Sequence, residues 1–387
     1  MSTLNVEGIK NTAATTDAIS FATDGTCTAR LTNPRSHRNL VINGAMAVAQ
    51  RGTSSTTSGY GDVDRWQHEY GGTNENPTFA QVDIASGDAP YLVGLTRAAK
   101  ITNGNQTSGL QTNSQINFMQ PIEAQDIRNS GWNYKSSSSY ITLSYWVRAS
   151  VAQEYHGFVK TADGSNYAYP FSLGSLSANT WTKITKTIPG NSNLQIDNDN
   201  GAGFQVWPVA FYGTDYTDNS VTNNAWAAWA SGGRSKNQTS TWWTTNDATF
   251  EITGVQLEVG DTATDFEHRT YADEILRCYR YFYKAPGYNS HAMFSRADTA
   301  VGATVNTPVP MRTAPTSGPT NWVRVQRPGV DYGDSSAGSW TVGGAAPAVT
   351  LTGSTIFFQY GSMSNVTNAT NNIYGFLTYD LELTAEL

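Results

Sequence analysis

The chain has 387 residues, a net charge of −7, only 14% charged side chains and 12% aromatic ones. That length exceeds one ordinary core and implies two or three domains, while the aromatic content excludes a disordered chain despite the low charge. No Lys/Arg cluster is present to meet a phosphate backbone, so no nucleic-acid partner is expected. No run approaches the ~20 apolar residues of a membrane span, so no membrane insertion is expected either.

Ser, Thr, Asn and the 35 glycines take the place of charge. A neutral, hydroxyl- and amide-rich surface over an aromatic core suits an all-β protein that works outside a cell. Cys27 and Cys278 are far apart and form no CxxC, so both read as free thiols made in a reducing cytoplasm. The N-terminus has no cationic stretch followed by an apolar core, and no signal peptide is expected.

Residues 1–37 contain no Trp or Tyr and a single Phe, Phe21. So few large apolar groups cannot offset an ordering cost of ~1–2 kcal/mol per residue. The short apolar runs Leu4 to Ile9 and Ile19 to Ala22, with the turn at Asp24-Gly25, favour an arm that docks on other chains. From 38 to 268 the pattern is short strands between turn-rich loops, with no intervening helices, which predicts a jelly-roll β-sandwich. Ile141, Leu143, Tyr145 and Val147 alternate as a half-buried strand should. Phe204, Val206, Val209 and Phe211 give another strand, whose Pro208 suggests an edge or a bulge. Phe250 to Ile252 and Val255 to Val259 alternate out of phase, which predicts a bulge at Gly254. The absence of a 20–50-residue repeat counts against a β-helix.

Thr270-Tyr-Ala-Asp273 reads as a capping box opening a helix that runs to about Tyr283. Ile275, Cys278, Tyr279 and Phe282 form its apolar stripe, widened by Leu276 and Tyr283. A helix this short must pack on something, either its own sandwich or the same helix in partner chains. After Ala285-Pro-Gly287 a second β-rich region covers 287–387. Its strand signals are Trp322 to Val325, Ile356 to Tyr360 and a continuous run from Ile373 to Leu383. Asp331 to Gly344 is a Gly/Ser-rich loop carrying Tyr332 and Trp340.

Chemistry-bearing motifs are scarce. His37, His68, His156, His268 and His291 never fall at ligand spacing from one another or from a cysteine. Asp197-Asn-Asp-Asn-Gly201 lacks the glutamate of a calcium loop and reads as a turn. No metal or cofactor is expected. There is no GxSxG. Glycan cleavage needs two carboxylates flanking a bond, and Asp62, Asp64 and Glu69 near Trp66 are the first suspects. Nine of the 11 tryptophans lie between Trp66 and Trp243. Trp146, Trp181 and Trp207 sit in strand-like runs and read as core. Trp226, Trp229, Trp242 and Trp243 lie in Asn/Ser/Gly/Thr-rich surroundings, with Tyr212, Asp215 and Tyr216 upstream. Rings beside amides and carboxylates suit sugar stacking and hydroxyl recognition; the alternative is that these rings cover the sandwich or an interchain seam.

Three phrases are specific in wording: Arg38 to Gly52 (RNLVINGAMAVAQRG), Asp62-Val-Asp-Arg-Trp66, and Gly254 to Arg269 (GVQLEVGDTATDFEHR). Together they resemble tail-fibre and related virion proteins of tailed bacteriophages, across roughly residues 38–283. Thr307 to Pro315 (TPVPMRTAP) resembles the start of C-terminal domains in phage fibres. The resemblance implies a β-sandwich module that looks like a carbohydrate-binding domain, with Asp64 and Arg65 tying strand ends together. It further implies a non-enzymatic homotrimer, assembled in the host cytoplasm and carried on the virion as a tail appendage. Residues 1–37 would attach to other tail or virion proteins. Residues 269–286 would form a linker at the trimer seam, through Ile275, Leu276, Tyr279, Phe282 and Tyr283. Residues 287–387 would face a host glycan or protein, with Asp331, Tyr332 and Trp340 as contacts. A capsid decoration or vertex fibre and a glycan-degrading virion enzyme are the alternatives.

Overall fold

Ile141, Leu143, Tyr145 and Val147 are all buried, and their alternation is the two-residue period that lets one face of a strand enter a core. The computed structural model describes residues 37–285 without a break, with 6–10, 12, 18–21, 23 and 27–29 before them. After them it describes 289–297, 300–315, 320–326, 341–342, 348–352, 354–360, 363–364, 374–380 and 382–387.

Ten strands build the body: β1 (Gln67–Gly71), β2 (Thr78–Asp83), β3 (Arg97–Thr102), β4 (Gln115–Glu123), β5 (Tyr140–Ala149), β6 (Gln153–Thr161), β7 (Tyr167–Leu176), β8 (Thr182–Pro189), β9 (Ala202–Tyr212) and β10 (Thr249–Val259). They pair antiparallel into two sheets. The front sheet runs β7-β6-β9-β4-β1, edged by Ala227–Ala228, and the back sheet runs β8-β5-β10-β3-β2, edged by Ser54–Ser55. The chain passes repeatedly between the sheets, as a jelly roll requires. Tyr155 of β6 meets Phe250 of β10 with ring centroids 5.6 Å apart, and Phe118 of β4 meets Phe79 of β2 at 5.7 Å. Each such side chain withdrawn from water contributes roughly 1.5–3 kcal/mol.

Gly254 forms the expected bulge. Its φ is +60°, and the β10–β5 register shifts between Thr253 and Gln256. The slip releases Val255 from the ladder, so Val255 N donates to Gly44 O at 2.9 Å. Of the two readings of Pro208, the edge is excluded because β9 is central, while an irregularity does lie beside it. The β4 ladder pairs Val206 with Gln120, resumes at Val209 with Asn117, and shifts register before Phe211. It skips Pro208, which has no N–H to give.

The opening and closing phrases lie against each other. Asn39 Oδ1 accepts from the backbone N–H groups of Val41 and Leu257, both at 3.0 Å, and its Nδ2 donates to Val255 O at 3.0 Å. Glu267 accepts from Asn39 N, and Arg269 donates to the carbonyls of Asn39 and Val41. Short helices α1 (Ala89–Leu92), α2 (Ala124–Arg128) and α3 (Thr241–Thr244) fill corners of the body.

Helix α4 (Tyr271–Tyr279) opens as expected, with Thr270 Oγ1 accepting from Asp273 N at 3.2 Å, a cap worth about 1 kcal/mol. It ends earlier than the apolar stripe suggests. Phe282 and Tyr283 belong instead to strand β11 (Phe282–Lys284), which pairs with Glu382–Thr384. The run from Ile373 is therefore divided in two. Tyr374–Asp380 joins a sheet ordered Thr320–Gln326, Tyr374–Asp380, Asn289–Ala297, Ala300–Asn306, Thr355–Tyr360, Ala348–Thr352, while Glu382–Thr384 returns to β11. Near the N-terminus Gly8–Ile9, Ile19–Phe21 and Cys27–Ala29 form a small antiparallel sheet.

Both sequence-suspected residues of the DVDRW phrase anchor this junction. Arg65 is 1% exposed; it pairs with Glu386, donates to Pro121 O at 2.7 Å, and lies 3.5 Å over the Tyr281 ring. Arg312 reaches the same junction, donating to the carbonyls of Ala385, Glu386 and Asn200. Glu123 accepts both Arg280 Nε, at 2.6 Å, and Nη2, at 2.8 Å, plus the Tyr281 hydroxyl at 2.6 Å. Burial alone would push its carboxyl up, but those bonds outweigh burial and hold it below the usual range. Asp64 accepts from Gln50 N and Nε2.

Removing one member of a buried ion pair strands the other, at a cost of about 3–5 kcal/mol. Glu386→Gln is expected to lose stability on that scale in chemical denaturation, whereas a loss below ~1 kcal/mol, as for exposed pairs, would show that Arg65 does not depend on it. Burial raises the Asp64 carboxyl from 3.8 to about 6, against the opposing Gln50 hydrogen bonds. An acid raised on folding holds its proton more tightly in the folded chain. Its contribution is therefore present below pH 3.8 and lost as pH climbs through about 6. Asp64→Asn lacks this loss, so its stability relative to the parent should rise by about 3 kcal/mol between pH 4 and 7. Paired denaturation curves across that range measure it.

Candidate functional site

Alternation along a strand sends every second residue away from the core, and on the front sheet those residues are unusual. Tyr155 and Val159 of β6 enter the core, while Phe158 and Lys160 face outward; on β9, Phe204 and Val206 are inside and Gln205 and Trp207 outside. Asn117 and Met119 of β4 and Glu69 of β1 join the same outer face, with Glu69 directly opposite Asn117. Phe158 stacks on Trp207, centroids 5.1 Å apart, and touches Trp229 at 5.6 Å and Tyr212 at 6.4 Å. Tyr212 meets Tyr216 at 5.5 Å.

The loop after β9 supplies the rest. Arg234 N donates to Tyr216 O and Trp229 N to Asn166 O, both at 2.9 Å, which holds the loop against the sheet. The Arg234 guanidinium then lies 4.3 Å from the Tyr216 ring centre, 5.3 Å from Tyr212 and 5.4 Å from Trp229. Lys160 Nζ lies 4.9 Å from the Trp229 ring. Gln205 Oε1 accepts from Trp207 Nε1 at 3.2 Å and Lys160 Nζ at 3.4 Å, and Gln115 Oε1 accepts from Arg234 Nη1 at 3.3 Å.

Several buried polar atoms on this face have no hydrogen-bond partner of normal geometry: both amide atoms of Asn117 and the Tyr212 hydroxyl. An unsatisfied buried polar group costs ~1–3 kcal/mol. Burial pushes the Tyr212 hydroxyl up. Burial also raises the Glu69 carboxyl, opposed by Arg234, the Asn117 amide and Lys160. Lys160 moves down, through burial and then Arg234, with Glu69 acting against both.

Of the glycan candidates read from the sequence, Tyr212, Tyr216 and Trp229 come together here. Asp215 is exposed nearby, accepting from Thr112 Oγ1 at 3.2 Å. Trp226 is placed elsewhere: it packs on Tyr169 and Phe204 and donates to Pro189 O at 2.6 Å, closing the core. Trp242 and Trp243 are corrected outright, since both are 0% exposed. Helix α3 drives them into the core, where Trp242 Nε1 reaches Thr249 O and the Trp243 ring meets Phe211 at 5.3 Å. Their polar neighbours Thr244 and Thr245 turn their hydroxyls back onto the carbonyls of Ser240 and Thr241 instead of rimming a site. Asp331, Tyr332 and Trp340 lie outside the described residues. Sequence reasoning missed Phe158, Lys160, Asn117, Gln205 and Arg234; Trp207, read as core, is indeed buried, in the smaller cluster on the outer side of the sheet. The period-two pairs Phe158/Lys160 and Gln205/Trp207 were the available signal.

The carboxylate suspects separate. Asp62 lies inside, 2.5 Å from His68 Nε2, and Asp64 is engaged by Gln50, whereas Glu69 is outside. On α4, Leu276 is 40% exposed and Ile275 and Tyr279 are half-buried, as is Tyr283 on β11. Phe282 departs from the expected seam: it is 3% exposed, with the Arg51 guanidinium 3.5 Å over its ring. Cys278 is a buried free thiol. A cavity of about 600 Å³ lined by Arg38, Asp126, Asn129 and Arg277 shares no residue with the aromatic face.

No protein-family model matches the chain, and no curated protein matches it. Among solved structures it is similar to the enzymatically active domain of bacteriophage CBA120 tailspike protein 4, at 10% identity and TM-score 0.31, over 58% of this chain and 22% of that one. It is similar to a putative sugar binding protein from Bacteroides thetaiotaomicron, at 13% identity and TM-score 0.31, over 57% of this chain and 100% of that one. It is also similar to the N-terminal cellulose-binding domain of Cellulomonas fimi β-1,4-glucanase C, at 11% identity and TM-score 0.25, over 56% and 99% of the two chains. What the chain itself presents is a β-sandwich with an aromatic, polar-rimmed face on one sheet.

Burial separates the tryptophans energetically. Trp243→Ala is expected to cost about 3–5 kcal/mol in denaturant unfolding, as core aromatics do. Trp229→Ala, from a half-buried ring, should cost less than half of that. Equal losses would place Trp229 in the core.

Proposed function

We propose that this chain binds carbohydrate on the outer face of its front sheet, as a homotrimeric tail-fibre protein of a tailed bacteriophage that attaches to a host-surface glycan. One observation carries the binding reading: the half-buried rings of Trp229 and Tyr216 lie beside the Arg234 guanidinium, with Lys160 over Trp229, on the outer face of the front sheet. A partly exposed ring for stacking beside polar donors is what a sugar's apolar face and hydroxyls complement. Binding is favoured over cleavage because Asp62 and Asp64 are spent inside the scaffold while Glu69 stands on the opposite sheet face.

The virion assignment rests on the three phrases described above, and the trimer on the apolar surface left uncovered. Tyr271 is 60% and Leu276 40% exposed on α4, and Val6, Ile9 and Phe21 near the N-terminus are 40–50% exposed. Those N-terminal residues suit docking on other virion proteins, and the α4 face suits a seam between copies. Many weak sites on one trimer would adhere through multivalency.

Glycan-array binding of the full chain, beside Trp229→Ala, tests the site. Signal lost in a variant that keeps the parent melting profile supports it, and unchanged signal moves binding elsewhere. Light scattering tests the assembly, with a trimer mass expected and a monodisperse monomer removing the seam.

A further inference from the structure

The outer face carries more charge than neutral-sugar recognition needs. Lys160 from β6 and Arg234 from the loop both approach the Trp229 ring, at 4.9 and 5.4 Å. Among the described residues, neither makes an ion pair with a carboxylate. Glu69 is the acid that faces both, and one carboxylate balances one of two cations. The other charges around the face are engaged or peripheral. Glu154 accepts from the Ser172 hydroxyl, Asp215 is exposed and accepts from Thr112, and Lys236 lies on the His156 side. In a chain of net charge −7 with 14% charged residues, two cations converging on one half-buried indole leave a local positive excess.

We infer that this face selects acidic saccharides, Arg234 and Lys160 receiving a sugar carboxylate while Trp229 flanks the ring. The inference rests on the carbohydrate-binding reading and narrows its substrate class to uronate-like sugars. Arg234 is suited to the task, because a guanidinium can meet a carboxylate with two parallel hydrogen bonds. Its contacts with Tyr212 and Tyr216 fix the plane of that fork. Glu69 keeps the paired cations from repelling each other in the empty site, and a neutral sugar leaves the second cation without a counter-charge.

The test uses the full chain and its Arg234→Gln, Arg234→Lys, Lys160→Gln and Trp229→Ala variants, each first confirmed to melt like the parent. They are applied to an array presenting uronate-bearing and sialylated glycans, each uronate glycan beside its neutral methyl ester, and neutral glycans. The expected result is binding concentrated on the acidic members, lost on methyl esterification and weakened by added salt. Arg234→Gln should weaken it about tenfold or more, with partial recovery in Arg234→Lys. Equal binding to acids and their esters, abolished by Trp229→Ala but unmoved by Arg234→Gln, would overturn the charge selectivity while leaving carbohydrate binding intact. Binding to no glycan of either class would overturn both readings together.

Discussion

A buried primary amide sets the frame from which the rest of this molecule is built. Asn39 is 4% exposed, and its three hydrogen bonds join its own neighbourhood to Val255 and Leu257, 216 and 218 residues further along the chain. An amide suits this place because it offers donor and acceptor at once, whereas a carboxylate could only accept and an aliphatic side chain could do neither. The Gly254 bulge is the other half of the device, since it takes Val255 out of the β10–β5 ladder and turns its backbone toward Gly44 and Asn39. With the two ends of the body locked, Glu267 and Arg269 are held over the opening segment, and α4 starts from a fixed point.

The outer face of the front sheet follows from that rigidity. Antiparallel strands can leave one face to solvent, and polar side chains would cost nothing there. Instead Phe158, Trp207, Trp229 and Tyr212 form a second, smaller aromatic cluster outside the main core. Stacked rings keep one another's geometry without needing a partner sheet, so the surface is preorganised. The unsatisfied amide and hydroxyl among them lower stability slightly, and a scaffold as heavily cross-braced as this one tolerates that cost.

Much of the scaffold was legible in the sequence because its signals are local. The alternation of Ile141 to Val147, the phase slip at Gly254 and the Thr270 cap each depend on a few neighbouring residues, and each stands as read. Pro208 pointed to an edge or a bulge, and only the irregularity is found, because a central ladder absorbs the missing N–H by passing over Trp207 and Pro208. Trp242 and Trp243 were misjudged because composition describes the neighbours of a ring along the chain, whereas burial depends on neighbours in space. Lys160 and Arg234 carry no motif at all, being 74 residues apart by their numbers and meeting only when β6 and the loop after β9 lie side by side. The division of the last β run was equally invisible, because Glu382 to Thr384 keep the alternation of the strand before them while changing partner.

That change of partner has an evolutionary consequence. Residues between Lys284 and Glu382 leave the body on one strand and come back on the strand paired to it, so the two points of departure stand about 4.8 Å apart, one strand spacing. A segment whose own ends are that close could be exchanged for this one at the two strands, provided that it replaced the hydrogen bonds Arg312 gives to the carbonyls of Asn200, Ala385 and Glu386. The region between those strands is thus a cassette in a socket, free to drift or be replaced wherever it does not supply the contacts around Arg312.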